Sequence, residues 1–272
     1  MMLCNFKLHY FPSLTCGWFI LTFIVTYAIA VAKGHVYPIF PYISETGTMP
    51  PESCIFSQML NVGAVLMFLN NYIRYRQIDF GIKSKYVNLS KKWNTVAVWI
   101  GTIVSVGISV VGNFQQTNMF VMHMIGATMS FGLAAIYFII QTRISFAFQP
   151  MYHKFPRYRI GRWVVYFRLI LTVLYVTLFV MIFTFGRLGF KEFQGTNLLW
   201  WTEQDGGHTY RVTSTFSEWG LFFVMVMYVF TGTFEFKTVT FKDRSGNCLA
   251  SSESGWKKKQ HQSDQVTSGK RG

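Results

Sequence analysis

Six long apolar stretches lie along the 272-residue chain, and each is close to the length that an α-helix needs to cross a membrane. A hydrocarbon core of about 30 Å takes about 20 helical residues to cross. The predicted spans cover residues 10–32, 55–73, 95–111, 119–141, 163–185 and 217–234. Because lipid offers no partners to backbone polar groups, each span must pair its own within a helix. The sequence therefore predicts an all-α fold: a polytopic membrane protein with a bundle of six transmembrane helices.

Basic residues fall mainly on one side of these crossings. Twenty of the 25 Lys and Arg residues lie on that side and four on the other, while Arg168 lies inside the predicted fifth helix. The positive-inside rule then places both termini in the cytosol. The net charge of +14 is divided among short loops, which favours contact with anionic membrane lipids over nucleic-acid binding. Arg168 is expected to extend its guanidinium to the cytosolic interface.

The chain divides into a membrane domain, residues 1–237, and a basic cytosolic tail, residues 238–272. The tail is rich in Ser, Lys, Gln and Gly and has few apolar residues, so it is predicted to be disordered. Only about six residues join the third and fourth helices, which predicts an antiparallel hairpin. Small residues at i+4 spacing are expected to let these two helices approach closely: Gly101, Ser105 and Ser109 on one, and Gly126, Ser130 and Ala134 on the other.

The first loop, predicted to be lumenal, has a distinctive sequence. Three polar residues, Ser44, Glu45 and Thr46, precede Gly47, and prolines stiffen both flanks, including the pair Pro50-Pro51. Such a loop is expected to be ordered and to act either as an exposed recognition surface or as a packing cap.

Two residues after the prolines are typical of a helix start. Ser53 is expected to cap the second helix, and Glu52 to lie where a negative charge favours the helix dipole. Near the other lumenal helix ends, Glu218 is expected to open the sixth helix for the same reason. His123 is expected to make an interhelical hydrogen bond, with a lumenal proton sensor as the alternative.

Signatures of soluble enzymes are absent from the sequence. It has no paired-histidine metal spacing, nucleophile elbow, phosphate-binding loop or dinucleotide fingerprint. The prediction is therefore no metal, no cofactor and no catalytic residue. An intramembrane enzyme that draws its residues from separate helices remains open.

The predicted second loop carries two short patterns. Tyr86 and Leu89 fit a tyrosine-based sorting signal of the kind that cytosolic trafficking adaptors bind. Asn88 begins a glycosylation sequon, which should stay unmodified if this loop is cytosolic.

Ordered blocks of residues resemble the DNA damage-regulated autophagy modulator (DRAM) superfamily. They lie at 41–47, 50–52, 113–115, 123–127, 131–132, 141, 149–150 and 216–219, and together they extend over nearly the whole membrane domain. The resemblance marks Asn113, Gln115 and Trp219 as family-motif positions, beside His123, Glu218 and the first-loop residues already named.

The resemblance implies a non-enzymatic six-helix protein of lysosomal or endosomal membranes that modulates autophagy and cell death. Its implied partners are membrane lipids and a cytosolic trafficking adaptor or autophagy effector. A neighbouring branch, similar to transmembrane protein 150, implies a plasma-membrane scaffold for a phosphoinositide kinase complex. A more distant branch implies a lipid-modifying enzyme or a lipid carrier.

Overall fold

The computed structural model describes residues 8–85, 87–154, 162–236, 240–242 and 248–251. Within these residues, six spans are long and apolar enough to cross a membrane, which confirms the predicted six-helix bundle. The first three spans are α1 (Tyr10–Ala32), α2 (Glu52–Lys83) and α3 (Lys91–Asn113). The fourth consists of α4 (Phe120–Ala127) and α5 (Leu133–Lys154), joined by a π-helical turn at Thr128–Gly132. The fifth is α6 (Arg162–Glu192), and the sixth consists of α7 (His208–Phe230) and α8 (Gly232–Phe236).

Several helices continue beyond the apolar stretches that predict them. The clearest case is α2, which reaches Lys83 and includes Arg74 and Asp79 as buried side chains. Charged residues extend a helix inside the bundle where neighbouring helices supply their partners, which hydropathy along one segment does not register. Among the described residues, eleven basic residues assigned to loops therefore lie in helices: Arg74, Arg76, Lys83, Lys91, Lys92, Arg143, Lys154, Arg162, Arg187, Lys191 and Arg211.

Aromatic rings fill the centre of the bundle. Phe23 of α1 meets Phe222 of α7 edge-on, with 4.7 Å between ring centroids. Phe138 of α5 stacks on Tyr228 of α7, with 4.0 Å between ring centroids, and meets Tyr175 of α6 at 4.9 Å. These contacts tie α1, α5, α6 and α7 into one core, as offset and edge-to-face aromatic pairs do in protein interiors.

The two ends of the membrane domain lie together. Leu8 packs with Ile73 and Phe236, and Ser13 Oγ lies 3.1 Å from Thr233 Oγ1. We call this the termini end of the bundle. The first, third and fifth loops lie at the opposite end, which we call the cap end. An even number of crossings requires this arrangement, while the compartment that each end faces remains a prediction.

The third and fourth spans pack closely, as the sequence predicts. A Cβ atom at Gly107 would lie 2.7 Å from both Met129 Cβ and the Ser130 backbone nitrogen. At Gly126, a Cβ atom would lie 2.9 Å from the Val111 backbone nitrogen. Glycine at both positions lets the two backbones touch, which is how helices associate in lipid.

The predicted contact face of α3 is wrong. Gly101 lies against Asn71 of α2, where a Cβ atom would meet the side-chain amide at 2.6 Å. Ser109 donates a hydrogen bond to Asn61 of α2 at 2.7 Å. Small residues repeat on two faces of α3, and their spacing alone does not identify which neighbour each face meets.

Part of the tail forms an antiparallel ribbon of two short strands, β1 (Thr240–Lys242) and β2 (Cys248–Ser251). The rest of the tail lies outside the described residues. Disorder therefore stays a prediction for the tail residues outside this ribbon.

Candidate functional site

The first loop closes the cap end of the bundle and is largely buried. Its centre is a 3₁₀ turn at Ser44–Gly47, in which Glu45 is 3% exposed and Thr46 fully buried. Thr46 donates to the Ile43 carbonyl at 2.7 Å and pairs with Thr26 of α1 at 3.1 Å. The expectation of an exposed recognition surface is therefore wrong for Glu45 and Thr46. These side chains point into the bundle because their hydrogen-bonding partners are there.

Gly47 is required by packing. A Cβ atom at this position would overlap the ring of Phe56 in α2. The structural reason for glycine here is close approach to that ring, and the backbone of Gly47 is not in the left-handed region.

Glu45 forms a buried ion pair with Arg211 of α7. The two guanidinium nitrogens Nη1 and Nη2 lie 3.1 and 2.7 Å from the carboxylate oxygens, and Oε2 also accepts from the Tyr42 backbone N–H at 2.9 Å. The guanidinium carbon lies 4.9 Å from the Trp201 ring centroid and 5.4 Å from that of Tyr42. Burial raises the pKa of the Glu45 carboxyl from its ordinary value, while the charge of Arg211 opposes that rise.

Further hydrogen bonds fasten the first loop to α7. Glu218 accepts from the Ile43 backbone N–H at 2.7 Å, and Trp219 Nε1 donates to the Pro41 carbonyl at 2.9 Å. Tyr42 donates from its hydroxyl to Ser214 at 2.7 Å, and burial raises its pKa to about 12. The predicted helix-start role of Glu218 is wrong, because the helix begins at His208 and Glu218 instead anchors the loop.

The end of the first loop leads directly into α2. The helix begins at Glu52 with Pro51 as its N-cap residue and no side-chain cap, so the capping role predicted for Ser53 is wrong. Glu52 lies in the first turn, as predicted, and is fully buried. Its carboxylate pairs with the imidazole Nδ1 of His35. Pro50 is exposed beside Pro51.

The third loop joins the cap through Gln116, which accepts a hydrogen bond from Ser44 at 2.6 Å. Asn113, at the end of α3, hydrogen-bonds Asn61 of α2 at 2.9 Å. Gln115 lies in this loop, where its backbone carbonyl accepts from the Met119 N–H.

His123 is 3% exposed and its Nδ1 lies 2.7 Å from the Phe114 carbonyl. The expected hydrogen bond exists, although it reaches the preceding loop and not another helix. The sensor role stays a hypothesis.

The fifth loop completes the cap. The Tyr37 backbone N–H donates to the Leu199 carbonyl at 2.8 Å, joining the first loop to the fifth. Thr202 and Asp205 form a reciprocal capping box, and the two hydrogen bonds from Thr202 lower the pKa of the half-buried Asp205 carboxyl. Gly206 and Gly207 then reverse the chain with φ values of +76° and +64°, which only glycine adopts easily.

We call this assembly the loop cap: residues 33–51, 114–119 and 193–207 with the first turns of α7. Within it the structure brings together the predicted residues Ser44, Glu45, Thr46, Gly47, Glu218 and Trp219. Three members that make its central contacts are absent from the sequence prediction: Tyr42, Arg211 and Ser214. The sequence gives no local signal for Arg211, because it lies in the predicted fifth loop, before the predicted sixth span begins at residue 217.

The predicted sorting signal is only partly described. Tyr86 lies outside the described residues. Leu89 is half-buried and packs against the cluster that contains Ile78 and Phe148. An adaptor that binds Leu89 would therefore have to displace this packing.

Arg168 does not extend to the membrane surface as predicted. It is 3% exposed and donates to both carboxylate oxygens of Glu235, at 2.9 and 2.8 Å. Arg74 reaches the same carboxylate at 2.6 Å. The prediction fails because Glu235, at the end of the sixth span, offers a buried partner at the depth of Arg168.

The geometry of the loop cap shows mutual pairing of its charged groups. In the part of the chain that the structure describes, no group of three or more His, Cys, Asp or Glu side chains lies close enough to hold a metal ion. The loop cap as described is an arrangement that joins three loops to α1, α2 and α7.

Comparison with known proteins identifies the family of the chain. The family model described as Frag1/DRAM/Sfk1/Cwh43P N-terminal domain matches residues 7–239, which include nearly all of the membrane domain. The chain belongs to this family. The resemblance found in the sequence is thereby confirmed, and the molecule is a multi-pass membrane protein of the Frag1/DRAM family.

Three relatives represent the range of similarity. Human DNA damage-regulated autophagy modulator protein 2 is 32% identical over 238 residues, which cover 86% of each chain. Human DNA damage-regulated autophagy modulator protein 1 is 29% identical over 89% of this chain and 96% of its own. Modulator of macroautophagy TMEM150B-B of Xenopus laevis is 39% identical over 46% of this chain and 53% of its own. No solved structure matches the chain.

Proposed function

We propose that this protein is a non-enzymatic modulator of autophagy in lysosomal or endosomal membranes, with a role in apoptosis. The observation that carries the autophagy assignment is the similarity to relatives from both branches of the family. The two DRAM proteins and TMEM150B-B are all named as modulators of autophagy, and the DRAM proteins match over most of the chain.

The loop cap supports a structural role over a catalytic one. Glu45 is engaged by Arg211, Glu218 by the Ile43 amide and His123 by the Phe114 carbonyl. A general acid or base must be able to reach a substrate, and these groups are directed towards partners in the protein. We infer that the loop cap closes the lumenal end of the bundle, while basic loops at the termini end contact anionic lipid and a cytosolic adaptor or effector.

Deletion and rescue in cells test the proposal. The measurement is turnover of the lipidated autophagosome marker, with and without inhibition of lysosomal degradation. Deletion should change this turnover, and the wild-type chain should restore it from a lysosomal or endosomal location. Glu45→Gln should restore it poorly because the loop cap is disrupted, whereas Glu203→Gln, an exposed acid of the fifth loop, should restore it fully.

Three results would contradict the proposal. Unchanged turnover after deletion would exclude an autophagy role under the conditions tested. A tagged chain found at the plasma membrane with a phosphoinositide kinase would instead support the scaffold hypothesis. Turnover of a lipid by the purified protein would support an enzyme.

A further inference from the structure

A charged cluster lies inside the bundle near the termini end. Glu235 accepts from Arg168 through both oxygens and lies 2.6 Å from Arg74 Nη1. The side chains of Arg74, Arg168 and Glu235 are 7%, 4% and 1% exposed. These three ion-paired side chains therefore carry one net positive charge. Buried charged groups in a membrane protein need hydrogen-bonding partners, so a buried guanidinium nitrogen that lacks one is a contact point for a ligand.

Arg74 is the member of this cluster with hydrogen-bonding capacity left over. Its Nε donates to Gln141 at 3.1 Å, and its Nη1 to Gln77 at 2.8 Å and to Glu235. Its Nη2 is buried and has no hydrogen-bond partner among the described residues. By contrast, all three nitrogens of Arg168 donate to described side chains.

A cavity of about 80 Å³ lies beside this guanidinium. Side chains of all six spans line it, with Arg74, Arg168 and Glu235 among its polar residues. Tyr137 also lines it. The volume is several times the ~10–15 Å³ that one water requires and below the ~150 Å³ of a cavity that admits benzene. It accommodates one small polyatomic group.

The chemistry of the site selects the class of ligand. A guanidinium with unused N–H groups binds oxyanions such as phosphate, and burial strengthens the charge-assisted hydrogen bonds. The cluster lies at the end of the bundle that the charge pattern places at the cytosolic leaflet, where lipid phosphates are abundant. We propose that this cavity binds a single phosphate group at Arg74, supplied by the headgroup of a membrane lipid or by free phosphate.

Binding to the purified full-length chain tests this proposal. The protein is delipidated in a maltoside detergent, which contains no phosphate. In one arm, inorganic phosphate is titrated and binding is followed by the shift in unfolding temperature. In the second arm, phosphatidic acid is added, with diacylglycerol as the control without phosphate, and bound lipid is counted by native mass spectrometry.

Variants connect any binding to this cavity. Arg74→Gln removes the guanidinium, and Arg74→Lys keeps the positive charge but loses the planar set of N–H groups. Each variant should weaken phosphate binding at least tenfold. Arg76→Gln, two residues further along α2 and exposed, is the matched control and should stay within twofold of wild type. Ala134→Leu narrows the cavity without altering a charge and should also abolish binding. It keeps the test valid if Arg74→Gln fails to fold.

The outcomes separate the two sources of phosphate. Binding of phosphatidic acid without competition from inorganic phosphate supports a lipid headgroup. Binding of inorganic phosphate alone supports a free anion. The proposal is overturned if neither binds, or if Arg74→Lys and Ala134→Leu bind as tightly as wild type.

Discussion

Replacing Glu45 with glutamine removes the carboxylate that faces Arg211 and leaves a guanidinium buried in the loop cap. The pair is bidentate at 3.1 and 2.7 Å, and its side chains are only 4% and 6% exposed. Removing one partner of a buried ion pair costs about 3–5 kcal/mol, because the remaining charge loses its compensation.

The loss should lie near the lower end of this range. Arg211 keeps its contacts with the rings of Trp201 and Tyr42, each a cation–π interaction worth about 0.5–2 kcal/mol. We therefore expect Glu45→Gln to cost about 3 kcal/mol. At about 2–4 °C per kcal/mol for a chain of this size, the unfolding temperature should fall by roughly 6–12 °C.

The reverse variant should depend on pH. Arg211→Met leaves Glu45 buried and without its guanidinium, and the pKa of this carboxyl is already raised by burial. Protonation therefore neutralises it as the pH falls. A carboxyl with a raised folded-state pKa contributes stability that is present at low pH and lost as the pH rises through that value. Arg211→Met should accordingly lose less stability at pH 5 than at pH 7.5.

Thermal unfolding in maltoside detergent, followed by tryptophan fluorescence, measures both effects. The double variant Glu45→Gln/Arg211→Met should recover much of the loss, with a coupling energy of about 2–3 kcal/mol. Glu203→Gln, an exposed acid nearby, is the control and should leave the unfolding temperature unchanged. Additive losses in the double variant would refute the reasoning, since they would mean that the two side chains do not stabilise each other.

Three further predictions concern packing, pH and topology. Gly107→Ala should lower the free energy of unfolding by about 1–3 kcal/mol, because the added methyl group would push α3 away from the fourth span. Gly17→Ala is the control and should not destabilise the protein, because its methyl group would meet no atom within 4 Å. Equal unfolding temperatures for the two variants would contradict the close packing. Because the pKa of Asp205 is lowered, its stabilising contribution is present above about pH 4 and is lost as the pH falls through the lower folded value. Amide-exchange protection in the fifth loop, corrected for intrinsic rates, should match at pH 7 and pH 5, and a decrease over that interval would count against the capping box. Asn88 should carry no glycan, and Gln194→Asn, which creates a sequon in the fifth loop, should be glycosylated; the opposite pattern would reverse the topology.

Individual elements show how far the sequence predicts the fold. The first helix is predicted from Tyr10 to Ala32 and found with the same bounds, because an isolated apolar run flanked by polar residues determines its own length. The second is predicted to end at residue 73 and continues to Lys83. Arg74 and Gln77 in its last turns have partners on other spans, and hydropathy along one segment carries no information about those partners.

In the loop cap, too, the sequence predicts some features and the tertiary structure decides others. The ordered blocks of the sequence identify Glu45, Thr46 and Glu218 as family-motif positions. They do not show whether these side chains point into the bundle or away from it. The structure turns Glu45 inward because Arg211 lies beside it, 166 residues further along the chain. Exposure was the wrong expectation because burial of a carboxylate depends on a partner that local sequence does not reveal.

The sequence by itself determined that the protein lies in a membrane and crosses it six times, because both follow from the length of the apolar stretches. It also determined the family, which follows from the ordered blocks of residues. Tertiary structure alone decided the pairing of Arg168 with Glu235 and the contact of Gly101 with α2. Both depend on the rotation and depth of one helix relative to another. Those quantities are fixed by packing among all six spans, and no single span encodes them.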